Sequence, residues 1–348
     1  MQSIKDLSVE ILDTNSFHWN FEPFGIDDGN KLAVGFNSLL QDNFDEFRTS
    51  EHTKIALFNN WAPCEYAQGE IAKGLDALNA ENKFNYILTI CPYSAHWRNS
   101  NSTRKRFIYA FYPYSTDIIP AKLEKKYDAI YHGGIHGKEH IMAMKTIMKR
   151  NYRYSSLDYG INKLTSKYLK HATDINLPFK EKIERIAETK ISICFNLIHV
   201  STKHLTNMRH YRQKLPESGD FFDGLRYRDI ISNYPWVGVL PQFKTRVHEA
   251  AIARSVNLVY RDSWNLIEHY YEPEKEFIYF TDEDDLNRKI DFILENWDTD
   301  QIQNIVQSAF EKAKRYTSEN FMNLYSKVIA SEKPEEEPTF NQAEFWDL

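Results

Sequence analysis

Short apolar segments of strand composition recur along this 348-residue chain, and most are followed by a stretch with helical spacing. In the first half the composition predicts strands over 54–61, 85–94, 106–115 and 128–134, with helices over 65–80 and 138–150. In the second half it predicts strands over 190–200, 256–260 and 276–280, with helices over 177–190, 247–255 and 284–297. Strands separated by helices pair in parallel, because a parallel neighbour needs a crossover long enough to hold a helix. The alternation therefore predicts an α/β chain with doubly wound sheets. In such sheets ligands sit beyond the carboxyl ends of the strands.

A chain of this length supports two domains of ordinary size. The polar stretch 155–176 is the candidate crossover, giving a first domain over 1–160 and a second over 161–330. A helix over 301–329 is placed to return to the first domain, and the acidic, Pro-punctuated tail 331–348 is expected to be flexible. Residues 1–50 suggest little beyond a strand at their start.

Composition narrows the partners. A net charge of −6 argues against nucleic acid, since phosphate-backbone binding wants a basic footprint. The start of the sequence lacks a basic region followed by an apolar core, and no run approaches about 18 apolar residues, so no membrane span is expected. Cys64, Cys91 and Cys194 have no metal-binding spacing and lie in or beside apolar runs. They read as buried free thiols of a reducing, cytoplasmic compartment.

The predicted strand ends of the first half carry polar and aromatic residues together. Asn60 and Trp61 follow one strand, and His132 and His136 flank the glycines of HGGIHG after another. Glycines let the backbone turn sharply there, leaving a histidine able to act as general base on a hydroxyl. The alternative is a tight turn whose histidines only satisfy backbone groups. The order G-x-G-x-x-G is absent, so this is not a dinucleotide fingerprint.

The centre of the second half reads LPQFKTRVHEAAIARSVNLVYRDS, over 240–263. Lys244 and Arg246 precede or open a small-residue helix, a combination that suits a phosphate or diphosphate. Glu249 lies one turn in, where a carboxylate can accept hydrogen bonds from sugar hydroxyls or simply pair with Arg246 on the surface. Asn196 and His199 end the preceding strand and either line a cleft or serve the core. Arg209, Arg212, Arg226 and Arg228 are interleaved with acids and read as surface, with phosphate contact as the alternative. Asp282–Asp284 precede an amphipathic helix and are predicted to cap it; no metal is expected.

Taken in order, the helix at 177–190, the strand after it, the R-x-x-E-A-A-x-A helix, strand 256–260, strand 276–280 and the amphipathic helix resemble the C-terminal half of group 1 glycosyltransferases of the GT-B type. That resemblance implies two Rossmann-like domains facing across a cleft, the second binding a nucleotide-sugar donor and the first a glycan or glycoconjugate acceptor. It makes Glu249 the ribose ligand and Arg246 and Lys244 the diphosphate ligands, with Asn196 and His199 nearby. The acceptor side would then include Asn60, Trp61 and His132, with His136 as base. No cofactor is implied beyond the nucleotide-sugar as co-substrate. Two positions depart from the family pattern: its glycine five residues after the Glu is Arg254, and its second acid is Pro241. A non-catalytic nucleotide- or carbohydrate-binding module of the same fold is the alternative.

Overall fold

The computed structural model describes residues 111, 113–158, 163–201, 236–262, 265–317 and 319–320, together with strands at 32–36, 54–59, 86–89, 107–109 and 226–227. The chain divides into two compact units. The first comprises Met1–Ser115, Val200–Gln242 and Thr317–Leu348; the second comprises Thr116–His199 and Phe243–Tyr316.

In the first unit, strands β1 (Leu32–Phe36), β2 (Lys54–Asn59), β3 (Tyr86–Thr89) and β4 (Phe107–Tyr109) form a parallel sheet in that order. Sequential parallel pairing means that each strand is followed by a crossover back to the same edge. Three of the strands lie inside the segments that composition marked; Leu32–Phe36 was not among them.

The second unit is built on β5 (Tyr127–His132), β6 (Tyr152–Ser156), β7 (Asp174–Ile175) and β8 (Thr189–Cys194). Strand β9 (Leu197–Ser201) then carries the chain to the first unit. There β10 (Arg226–Tyr227) and β11 (Trp236–Pro241) complete a three-stranded sheet in the order β10-β11-β9. The chain returns through β12 (Val256–Tyr260) and β13 (Ile278–Phe280). The large sheet runs β13-β12-β8-β5-β6-β7, all parallel. Every residue of β12 is buried, as is β5 from Ala129 onward. Burial on both faces explains why these strands read as continuous apolar runs rather than alternating ones.

Helices α1 (Lys138–Ile147), α2 (Lys163–Leu169), α3 (Phe179–Ala187), α4 (Arg246–Ile252), α5 (Glu283–Glu295) and α6 (Asp300–Ala313) cover the sheet. α3, α4 and α6 pack together on one side, while α1 and α5 pack together. α3 buries Ile183, Ile186 and Ala187, the stripe its sequence spacing predicted. At α5 the Asp282 carboxylate accepts the Asp285 backbone N–H at 2.8 Å, the cap read from the Asp282–Asp284 run. Cys194 is a buried free thiol; Cys64 and Cys91 lie outside the described residues.

The stretch 155–176, expected as a linker, instead completes β6 and forms α2 and β7 at one edge of the large sheet. The boundary expected at 160/161 falls within this unit, between β6 and α2. Its polar side chains are partnered across the outermost strands: Arg153 pairs with Asp174 at 2.9 Å, a largely buried pair in which each charge satisfies the other. No helix among the described residues is long and apolar enough to cross a membrane.

Candidate functional site

The chain passes outward from β5 to β6 and β7, then comes back to β8 and proceeds the other way to β12 and β13. The reversal lies between β5 and β8, and an open parallel sheet binds its ligand beyond the carboxyl ends of the strands at such a point. There the HGGIHG turn leaves β5, and Phe195 and Asn196 leave β8.

This corrects the placement of two residues. His132 and His136 were expected in the first domain, on the acceptor side; the structure puts their strand at the centre of the second unit's sheet. They share one end of that sheet with Asn196, His199, Lys244, Arg246 and Glu249. The cause is long-range strand pairing: β5 pairs with β8, Ala129 opposite Ile191 and Tyr131 opposite Ile193. Asn60 and Trp61 lie outside the described residues.

The glycines admit the other residues. Gly133 has φ +113°, a region L side chains rarely adopt, and a Cβ there would overlap the Arg246 guanidinium. A Cβ at Gly134 would come within 2.6 Å of His136 Nε2, and one at Gly137 would overlap the His199 ring. The turn is pinned elsewhere: Ile135 N–H donates to Thr165 Oγ1 at 2.8 Å, and Tyr131 OH donates to the Gly134 carbonyl at 2.9 Å.

Histidines line the floor. His136 N–H donates to His140 Nδ1 at 3.0 Å, so the neutral His140 ring carries its proton on Nε2. His199 Nε2 donates to the Glu139 carboxylate at 3.3 Å. Burial holds His132 and His140 well below the ordinary imidazole range. Burial lowers His136 to about 4, and His199, Arg246 and Lys244 add to the shift. Both ring nitrogens of His132 and Nδ2 of Asn196 are buried without a hydrogen-bond partner among the described residues. Orphaned polar atoms in so buried a place mark a site built for something that supplies partners.

On the other side, Asn196 Oδ1 accepts the Lys244 backbone N–H at 3.0 Å and fixes the start of α4. Glu249 is only 4% exposed. Its Oε1 accepts from Thr245 Oγ1 at 3.0 Å, and its Oε2 pairs with Lys182 Nζ at 2.9 Å. Burial lowers the Lys182 ammonium although Glu249 opposes it. The expected alternative, a solvated Arg246–Glu249 pair, is not what forms: Glu249 faces α3, and Arg246 faces Gly133.

Lys182, Glu139 and His140 escaped the sequence reasoning. Lys182 sits in a K-E-K run that looks like an ordinary solvated helix face. Glu139 and His140 did carry a signal, since they open the helix directly behind the glycine turn. Among the described residues no group of three His, Cys, Asp or Glu side chains could hold a metal ion. The arrangement offers three cations, buried neutral imidazoles and unpaired polar atoms at one sheet end, which suits an anionic ligand with polar groups.

The C-terminal resemblance is matched by a family model described as glycosyl transferase-like, which covers residues 217–325. No curated protein matches the sequence. Among solved structures, HepE from Anabaena in complex with UDP-glucose aligns over 95% of this chain and 84% of its own, with TM-score 0.55 and 11% identity. Sucrose-phosphate synthase from Thermosynechococcus elongatus aligns over 86% and 74%, with TM-score 0.54 and 10% identity. A mutant of S. aureus TarM in complex with fondaparinux, alpha-GlcNAc-glycerol and UDP aligns over 85% and 55%, with TM-score 0.51 and 9% identity. The chain thus spans about half the length of TarM. These likenesses and the parallel sheets show a GT-B glycosyltransferase fold.

Proposed function

We propose that this protein transfers a sugar from a nucleotide-sugar donor to a glycan or glycoconjugate acceptor, with the donor held at the β5/β8 end of the second unit. One observation carries the proposal: Lys182, Lys244 and Arg246 converge with the unpaired polar atoms of His132 and Asn196 where a doubly wound sheet binds its ligands. The solved structures of the same fold that carry UDP or UDP-glucose make uridine diphosphate sugars the first donors to test.

In the reaction the acceptor hydroxyl oxygen bonds to the anomeric carbon and gives its proton to His136, while the bond between that carbon and the diphosphate oxygen breaks and its electron pair leaves with the nucleoside diphosphate. Lys244 and Arg246 stabilise that developing charge electrostatically, so no metal is required in this scheme. Glu249 binds the ribose: each carboxylate oxygen already has one partner, from Thr245 and Lys182, and retains a lone pair for a hydroxyl. Asn196 and His199 orient the donor, and His132 gives the sugar a buried polar partner.

His136 is the base in this scheme, neutral above about pH 4. An imidazole of that pKa is a weak acceptor, because a general base works best near the operating pH. Donor charge beside Arg246 and Lys244 offsets two of the groups that depress it, so its basicity rises on donor binding.

The test is release of nucleoside diphosphate from a panel of nucleotide-sugars, with and without sugar acceptors. Turnover of one donor, abolished in Arg246→Ala, is the expected result. Donor binding with no turnover on any pair would instead identify a non-catalytic binding module.

A further inference from the structure

At the opposite, amino-terminal end of the same sheet, a cavity of about 470 Å³ opens among the segments that lead into β5, β8 and β12. Lys122 and Lys125 come from the approach to β5, Lys190 from the start of β8, and Arg254 from the turn before β12. Trp297 and Asp298, between α5 and α6, close it.

Four cations and one carboxylate line the cavity. Arg150, Arg153, Arg185, Lys126 and Lys289 each pair with a carboxylate. None of the four cavity cations forms an ion pair among the described residues, and a single carboxylate, Asp298, lines the cavity with them. Among the described residues Lys125 Nζ has two long hydrogen bonds, to the Ala253 carbonyl and Ser255 Oγ, both 3.3 Å. Lys125 and Lys190 both face the Trp297 ring, at 6.0 and 5.8 Å from its centroid, at the outer limit of a useful cation–π contact. Arg254 is held rigidly, donating to the Pro120 carbonyl at 3.1 Å and lying 3.7 Å over the Phe310 ring. Its φ of +54° is a conformation in which glycine is free and arginine is strained. Like charges collected around a concave surface, partly out of water, repel one another unless an anion joins them.

We propose that this cavity is a second ligand site that binds a phosphoryl dianion, either inorganic phosphate or the phosphate group of a small metabolite. Arg254 supplies a fixed fork of N–H donors, and the three lysines supply movable charge around it. The site lies at the opposite end of the strands from the proposed donor pocket, so the two can be filled together. It does not depend on the glycosyltransferase assignment.

Calorimetric titration with inorganic phosphate, glycerol phosphate and sulfate tests it. All three are expected to bind the wild-type protein. Binding should weaken tenfold or more in Lys125→Met and in Lys190→Gln. Tighter binding of glycerol phosphate than of phosphate would assign the site to an ester, and equal binding to the free ion. Sulfate adds a readout because it does not titrate near neutrality. Burial, with Arg254 and Lys122, brings the Lys125 ammonium down to about 7. The charged groups facing it are Lys122, Lys190, Arg254 and Asp298. An incoming dianion raises that pKa, so sulfate binding at pH 7.5 takes up protons in wild type and not in Lys125→Met. Lys190 is partly exposed, so Lys190→Gln guards against a folding defect at Lys125. Absence of binding by any of the three anions, or binding kept at wild-type strength in both lysine variants, overturns the proposal.

Discussion

The guanidinium of Arg246 occupies the space that a side chain at Gly133 would fill, which joins the first turn of the second unit's sheet to the helix that follows Lys244. Gly133 also has φ +113°, so Gly133→Ala meets two penalties at once. The backbone costs about 1–2 kcal/mol, and Arg246 must move. The variant is expected to melt several degrees lower and to bind nucleoside diphosphate at least tenfold more weakly in calorimetry. Wild-type affinity in a folded Gly133→Ala protein would show that the Arg246 position is immaterial to the ligand.

Lys244→Ala and Arg246→Ala are expected to act through phosphate charge. Each should weaken a nucleoside diphosphate by roughly ten- to a hundredfold, the size of a lost charge-assisted hydrogen bond, and leave the free nucleoside nearly unaffected. Parallel titrations of the two ligands decide it. Equal losses for both would move these side chains away from the diphosphate.

Glu249 has a structural duty that its sequence context does not reveal. The sequence predicts that Glu249→Ala weakens the donor while leaving the fold intact; the pair with Lys182 at 2.9 Å adds a cost. Removing the acid strands a largely buried ammonium, at about 2–4 kcal/mol of stability. Glu249→Ala/Lys182→Met should recover most of that loss in chemical denaturation and still bind the donor weakly. Donor affinity restored together with stability would make Glu249 a scaffold residue only.

The pH behaviour of His136 follows from burial, which lowers its pKa to about 4 from an unfolded value near 6.5. The unfolded chain therefore takes the proton first. The stabilisation is complete above about pH 6.5 and declines as pH falls through 4. The urea midpoint should drop across that window, and less steeply in His136→Gln. In kinetics the acid limb of kcat/KM, which reports the free enzyme, should lie near 4, and that of kcat should lie higher once donor charge is bound. Coincident limbs, or turnover unchanged in His136→Ala, would remove His136 from the role of base.

Strand β12 was legible residue by residue as Val256–Tyr260, and so were the stripe of α3 and the Asp282 cap. Each is a local property: an apolar run, a 3.6-residue period, a side chain reaching its own backbone three residues on. The residue types of the site were legible for the same reason, because a glycine turn after a strand and a basic turn before a small-residue helix announce themselves. What the sequence could not decide is which strands share a sheet. Ala129 lies opposite Ile191 and Leu258 opposite Ile193, pairings set by the burial of whole faces and the handed crossovers between them. That long-range choice moved His132 and His136 from an expected acceptor domain to the side of Arg246. It also set Lys182 against Glu249 and gathered four cations at the other end of the strands. A lysine on a polar helix face has the same local signature whether water or a carboxylate receives it, so only tertiary packing could tell them apart.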